Sequence, residues 1–265
     1  VKIIIAGSDT RDCEEKCKKF NIPKLYSILN EKKQIERWDD NYSLMVDSGA
    51  HSWNKEDITP TGMKRTSKIR PAEEFINFYF DFIKEHRAKK VVWVEFDVYG
   101  RLGIEQIDAF YDKVMSLGIS GYFMRVYHPM LDNASFSTLK KWIKDGHTYI
   151  GIGNDSTPYL DDIFAITKDK VRLHGFAMTK LGLMEKYPFY SVDSTSPLST
   201  VIFGRYSRPI MAFSERDDIS KIKSIECYDD DWARLENAIL ETKKTQKYIT
   251  ELWAKKGVIW KDLEF

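Results

Sequence analysis

Short apolar, β-prone runs recur along this chain, and a helix-forming or turn-rich stretch follows most of them. The runs are Ile3–Ala6, Leu44–Asp47, Val91–Asp97, Tyr122–Val126, Thr148–Gly153, Val171–Gly175 and Phe189–Asp193, with an eighth expected at Thr200–Phe203 or Ile210–Phe213. Most are apolar throughout rather than alternating, as strands covered on both faces are. Between them the periodicity predicts helices. Pro71 opens one whose buried stripe is Phe75, Tyr79, Phe82, Ile83 and His86. Ile104–Leu117 forms another, stopped by Gly118, and Ser135–Lys144 a third, stopped by Gly146. Strand alternating with helix eight times predicts an α/β fold, a (β/α)8 TIM barrel.

A length of 265 residues, 43% of them hydrophobic, suits one such domain. With no internal repeat, low-complexity tract or Gly/Ser linker in view, residues 1–265 are read as a single barrel domain with a helical extension over about 215–265. The extension holds a long helix, Asp231–Lys256, with a seam of Trp232, Leu235, Ile239, Thr242, Gln246, Ile249 and Trp253. That seam either packs on the outside of the barrel or pairs with a partner, a second copy making a homodimer.

Charge excludes one broad class of argument. Basic and acidic residues number 41 and 40, so the chain as a whole does not attract a polyanion, and any basic surface must be local. The stretch Thr61–Arg70 is such a place, with Lys64, Arg65, Lys68 and Arg70 and no acid. It is either a backbone-phosphate contact or a solvated loop. Cys13, Cys17 and Cys227 lack the paired spacing of a zinc site, so reduced thiols are expected, with no metal and no cofactor. No apolar stretch approaches the ~20 residues of a membrane span, and Val1–Ala6 is too short for the apolar core of a signal peptide. A soluble, cytoplasmic protein without membrane contact is expected.

The chemistry is carried by acids at the ends of apolar runs. Val46-Asp47-Ser48-Gly49-Ala50 and Ser191-Val192-Asp193-Ser194-Thr195 each put a carboxylate where a strand ends and small residues follow. In a parallel barrel, catalytic groups stand at the carboxyl ends of the strands. Reading the other runs to their ends adds Asp97, Arg125 with His128, Gly151 with Gly153, and His174 with Gly175. A pair of acids suits glycosidic-bond chemistry, in which one attacks the sugar carbon and the other manages the leaving group's proton. Three other readings compete. Each Asp could simply cap the following turn. Asp47, His51, His128, His174 and a further Asp could hold a metal for hydrolysis. An ordinary glycoside hydrolase would use the same acids.

These motifs resemble the guanine transglycosylase superfamily, which exchanges guanine in nucleic acid for a 7-deazaguanine base. The family's strand-end Asp-Ser-Gly-Gly resembles Asp47-Ser48-Gly49-Ala50, and its Pro-Glu helix start resembles Arg70-Pro71-Ala72-Glu73-Glu74. Its apolar run ending in Phe-Asp resembles Trp93–Asp97, and its glycine-bearing base-binding turn resembles Tyr149-Ile150-Gly151-Ile152-Gly153. The approach to its nucleophile resembles Leu173–Ala177 through Ser191–Ser194. The matches run in the family's order over about residues 40–200.

The resemblance implies that Asp193 is the nucleophile and Asp47 the general acid/base. It implies that Asp97 accepts hydrogen bonds from the base, that Gly151 and Gly153 lie against it, and that His128 stands where the family usually has a Gln. Ser48, Gly49, His174 and Gly175 complete the implied substrate-binding set, with a free 7-deazaguanine base as co-substrate. The departures point within the family. Nothing after Asp193 matches the zinc site of the tRNA enzymes, Ala50 replaces a Gly, and Ser194-Thr195-Ser196-Pro197 differs from their usual sequence. A short chain without a zinc subdomain looks more like the DNA-modifying branch known from phages, for which the setting is the host cytoplasm. DNA is thus the expected acceptor and tRNA the alternative. A non-catalytic barrel subunit of such an enzyme is a further one.

Overall fold

The computed structural model describes residues 1–7, 11–39, 43–50, 71–168, 170–195 and 231–263, with side chains of the last helix from Leu235 onward. Its strands are β1 (Lys2–Ala6), β2 (Lys24–Ser27), β3 (Leu44–Asp47), β4 (Val92–Val94), β5 (Tyr122–Tyr127), β6 (Tyr149–Ile152), β7 (Arg172–Gly175) and β8 (Ser191–Ser194). They follow one another in sequence order around a closed barrel, with β1 returning to β8. The pairs β1–β8, β3–β4, β4–β5 and β7–β8 are all parallel. This is the expected (β/α)8 barrel. One strand differs from the sequence reading: β2 was not expected, and the proposed eighth strand at 200–203 or 210–213 lies outside the described residues. The barrel closes without it.

The described helices are α1 (Arg11–Phe20), α2 (Lys32–Glu36), α3 (Ala72–Glu85), α4 (Tyr99–Met115), α5 (Ser137–Lys144), α6 (Leu160–Thr167), α7 (Leu181–Lys186) and α8 (Asp231–Lys255). Two compact units divide the chain, one built from Val1–Lys24 with Ile152–Asp262 and the other from Leu25–Gly151.

In the second unit, the outward side chains of β3 and β4 meet the helices. Val46 and Trp93 are register partners, and both join Phe75, Tyr79, Phe82 and Phe110 in one apolar cluster. Alternation along a strand therefore turns Met45, Asp47, Val92 and Val94 to the barrel interior. Helix α3 starts at Pro71, which has no N–H to leave unsatisfied, and buries Phe75, Tyr79, Phe82 and Ile83 as its spacing predicts. His86, expected on the same stripe, is the half-buried residue that caps its end.

In the first unit, the same parity is fixed by Ile5. It packs with Cys13, Cys17 and Ile22 and with Leu235 and Ile239 of α8. Ile5 pairs with Ser194, and Ile4 pairs with Asp193. Ser191 and Asp193 thus share the interior face with Ile4. The seam of α8 is spent on this unit: Leu235, Ile239, Thr242 and Ile249 are buried, Gln246 Oε1 accepts the Ile3 N–H at 2.9 Å, and Trp253 Nε1 donates to the Met184 carbonyl at 2.7 Å. Of its two expected uses, the described seam residues serve packing on the barrel's outside. Among the described residues, no helix is long and apolar enough to cross a membrane.

Candidate functional site

Asp47 ends β3 half-buried on the interior face, and its Oδ2 accepts the N–H of Gly49 at 3.0 Å. That short turn needs Gly49. Its φ is +82°, and a Cβ there would lie 2.6 Å from Leu29 Cγ and 3.2 Å from Ser27 Oγ. Ser48 is fully buried, and its hydroxyl donates to the Glu95 carbonyl at 3.0 Å, tying the end of β3 to the residue after β4. Ser48 and Gly49, expected to touch substrate, are both buried beside Asp47. On the helix side, the Tyr79 hydroxyl donates to the Val94 carbonyl at 2.8 Å. Burial, and then the charge of Asp47, push that phenol well above its ordinary range.

Asp97 and His128 follow β4 and β5 and meet directly, with His128 Nε2 2.8 Å from Asp97 Oδ2. Both keep about a fifth of their side chains exposed, at 22% and 19%. The ring of Tyr99 packs edge-on against His128, its centroid 6.0 Å away. Arg125, one of the strand-end candidates, turns outward instead. Its Nε donates to Glu95 Oε1 at 2.8 Å and its terminal nitrogen to Asp108 Oδ1 at 2.5 Å, while its guanidinium lies 4.1 Å from the Trp142 ring centroid. Glu95 also accepts from Tyr99 Oη at 2.5 Å and from the Val126 N–H at 3.0 Å. Burial raises the carboxyl's pKa, and Arg125 opposes that rise. This ion pair belongs to the layer between strands and helices. Its signal in the sequence was a Glu inside an otherwise apolar run.

The rings of Tyr149 and Tyr122 meet tilted, with centroids 5.7 Å apart, and Tyr122 pairs with Val92 on the interior side. Gly151, two residues beyond Tyr149, therefore shares the interior face. Gly153 is half-buried in an extended conformation, and its carbonyl accepts the Ser156 N–H at 3.0 Å as a short 3-10 turn begins.

Asp193 has a built surrounding. Its Oδ1 accepts the N–H of Ala177 at 3.0 Å, from a backbone turned to φ +56°. His174 Nε2 lies 3.3 Å from the same oxygen, approaching obliquely to the line of a hydrogen bond. The other ring nitrogen, Nδ1, is 2.8 Å from Ser191 Oγ. His174 is wholly enclosed, so the structure puts it behind the Asp193 carboxylate. Gly175 pairs with Val192 and faces the helices, where a Cβ would lie 2.8 Å from the Phe189 ring and 2.9 Å from Met178 Cβ. Close packing accounts for this glycine. Sequence reasoning missed Ala177 and Ser191. Ser191 could have been found by period two, since it stands one strand repeat before Asp193 on the same face.

The basic residues Lys64, Arg65, Lys68 and Arg70, and His51 of the metal reading, lie outside the described residues. Among the described residues, no three of His, Cys, Asp and Glu are grouped to hold a metal ion. Cys13 and Cys17 are both buried within α1. A scan against protein-family models finds no match for the chain, and a search of curated proteins finds none either.

Proposed function

We propose that this chain is a base-exchange transglycosylase that replaces guanine in DNA with a 7-deazaguanine derivative. One observation carries the reading: Asp47 ends β3 and Asp193 is the last residue but one of β8, both on the interior face of a parallel barrel, each with one carboxylate oxygen held by a backbone N–H. The carboxyl ends of the strands are where (β/α)8 enzymes carry their chemistry.

In the first displacement, a lone pair of Asp193 forms a bond to C1′ of the nucleoside. The C1′–N9 bond breaks, its electron pair leaves on guanine, and Asp47 supplies the proton. In the second, Asp47 takes the N9 proton of the incoming base, N9 attacks C1′, and the Asp193 carboxylate departs. Two inversions give retention. Asp97 accepts from the N1–H and 2-amino edge of the base, which adenine cannot offer. The target nucleotide must leave its stack for C1′ to be reached.

The test is incubation with DNA or tRNA and labelled 7-deazaguanine bases, then digestion to nucleosides and mass spectrometry. Label in deoxynucleosides is the expected result. Label in neither acceptor, under conditions where the chain is folded, overturns the proposal.

A further inference from the structure

We propose that His174 is the positioning residue of Asp193, and that with the Ala177 N–H it holds Oδ1 so that Oδ2 is the attacking oxygen. The inference rests on the reading of Asp193 as nucleophile and says how that nucleophile is aimed.

Both contacts converge on one oxygen. The Ala177 N–H is 3.0 Å from Oδ1 and His174 Nε2 is 3.3 Å from it, while Oδ2 takes no hydrogen bond among the described residues. A carboxylate fixed at one oxygen and open at the other has a single orientation in which to meet an electrophile. The imidazole is itself fixed. Ser191 is in register with His174, and its Oγ lies 2.8 Å from Nδ1. We assign the tautomer in which the Ser191 hydroxyl donates to Nδ1 and the Nε2 proton faces Oδ1. The Phe176 ring closes against the imidazole at 4.4 Å. Ser, His and Asp also make hydrolytic triads, but accessibility runs the other way here. Ser191 and His174 are 1% and 0% exposed, so the acid is the member that substrate can reach.

The oblique geometry of Nε2 suits a contact that tightens as charge moves. When Oδ2 bonds to C1′, Oδ1 becomes the carbonyl oxygen of the glycosyl ester and its negative charge falls. When Oδ2 is expelled by the incoming base, charge returns to the carboxylate, and the two N–H donors stabilise it. His174 therefore assists expulsion of the carboxylate as well as its aim.

The experiment uses the full chain, a guanine-containing DNA acceptor and isotopically labelled guanine. Exchange rates and rapidly quenched peptide maps of Asp193 are measured for wild type, His174→Leu, His174→Gln and Ser191→Ala. His174→Leu is expected to lower kcat about 10–100-fold with KM for DNA unchanged. His174→Gln, whose side-chain amide can still donate, should recover most of that loss, and Ser191→Ala should fall between. A normal Asp193 adduct in wild type with an unaffected rate in His174→Leu overturns this inference alone. So does a loss that appears in KM, or one that Gln does not relieve. A wild type that exchanges no guanine and leaves Asp193 unmodified overturns the functional reading and this inference together.

Discussion

His128 Nε2 lies 2.8 Å from Oδ2 of Asp97, so the proposed reader of the base shares one of its two oxygens with an imidazole. A donor pair on the base must then use Oδ1 and either compete for Oδ2 or move the ring. Asp97→Ala should weaken binding of free guanine about 10–100-fold, the worth of a hydrogen bond to a charged group, and leave DNA binding nearly intact. His128→Ala should cost less, because it frees an acceptor while removing a neighbour. Equilibrium binding of guanine and adenine to each variant checks this. Unchanged discrimination between the two bases in Asp97→Ala would place the reader elsewhere.

Gly49 is the local condition for the placement of Asp47. Gly49→Ala should destabilise the fold by about 1–3 kcal/mol through its backbone conformation, with a further steric part against Leu29. In a Leu29→Ala background the steric part should shrink to the contact with Ser27 Oγ, and the backbone part should remain. Chemical denaturation of the four proteins measures both. Full recovery in the double variant would mean that φ +82° carries no cost there.

The Glu95–Arg125 pair sets a pH-dependent stability. Burial raises the Glu95 carboxyl above its ordinary 4.5, so the folded chain holds this proton at pH values where the unfolded chain has released it. Its contribution is complete below the unfolded value and is lost as pH rises through the folded one. Arg125→Met removes the opposing attraction, pushes the carboxyl further up and should cost about 3–5 kcal/mol at neutral pH. That loss should shrink in acid. Adding Glu95→Leu to Arg125→Met should recover much of it, since no charge is then left buried alone. Urea unfolding across a pH series tests the sign, and a loss independent of pH would contradict it.

Barrel and acids were legible for the same reason: strands buried on both faces read as apolar runs, and a charged residue closing such a run stands out. Strand β2 did not read that way. It is four residues long, follows Pro23 and begins with Lys24, a lysine fully enclosed with its ammonium on the Gly7 carbonyl and 3.9 Å from Cys13 Sγ. Nothing in sequence distinguishes it from an exposed lysine. Nor does sequence mark Ala177, whose part at Asp193 is a backbone N–H. Arg125 and Gly175 were correctly placed near strand ends but face the helices, because parity along a strand depends on a register that only pairing supplies.

The two acids should fail differently. Asp193→Asn should abolish exchange, because an amide cannot form the glycosyl ester. Asp47→Asn should slow turnover by about 10²–10⁴-fold while leaving nucleic-acid binding in place. Exchange rates beside binding isotherms separate these outcomes. Loss of binding in proportion to rate would make Asp47 a residue that holds substrate or structure.

The choice of DNA over tRNA is tested by charge as well as by product. The run Lys64 to Arg70 places four cations within seven residues of a chain whose net charge is only +1. If these cations neutralise phosphates, each contact releases condensed counterions, and log K falls with log salt by roughly 0.9 per phosphate on duplex DNA. Replacing Lys64, Arg65 and Lys68 with Gln should therefore flatten the slope by about 2–3 units and weaken binding alike across sequences. An unchanged slope would show that the phosphates are met elsewhere on the chain. Matched DNA and tRNA acceptors offered the same labelled base then decide the substrate, because a cationic segment of this kind follows a phosphate backbone whatever its sugar. Efficient labelling of tRNA with none in DNA would overturn the acceptor while leaving the roles of Asp47 and Asp193 to their own tests.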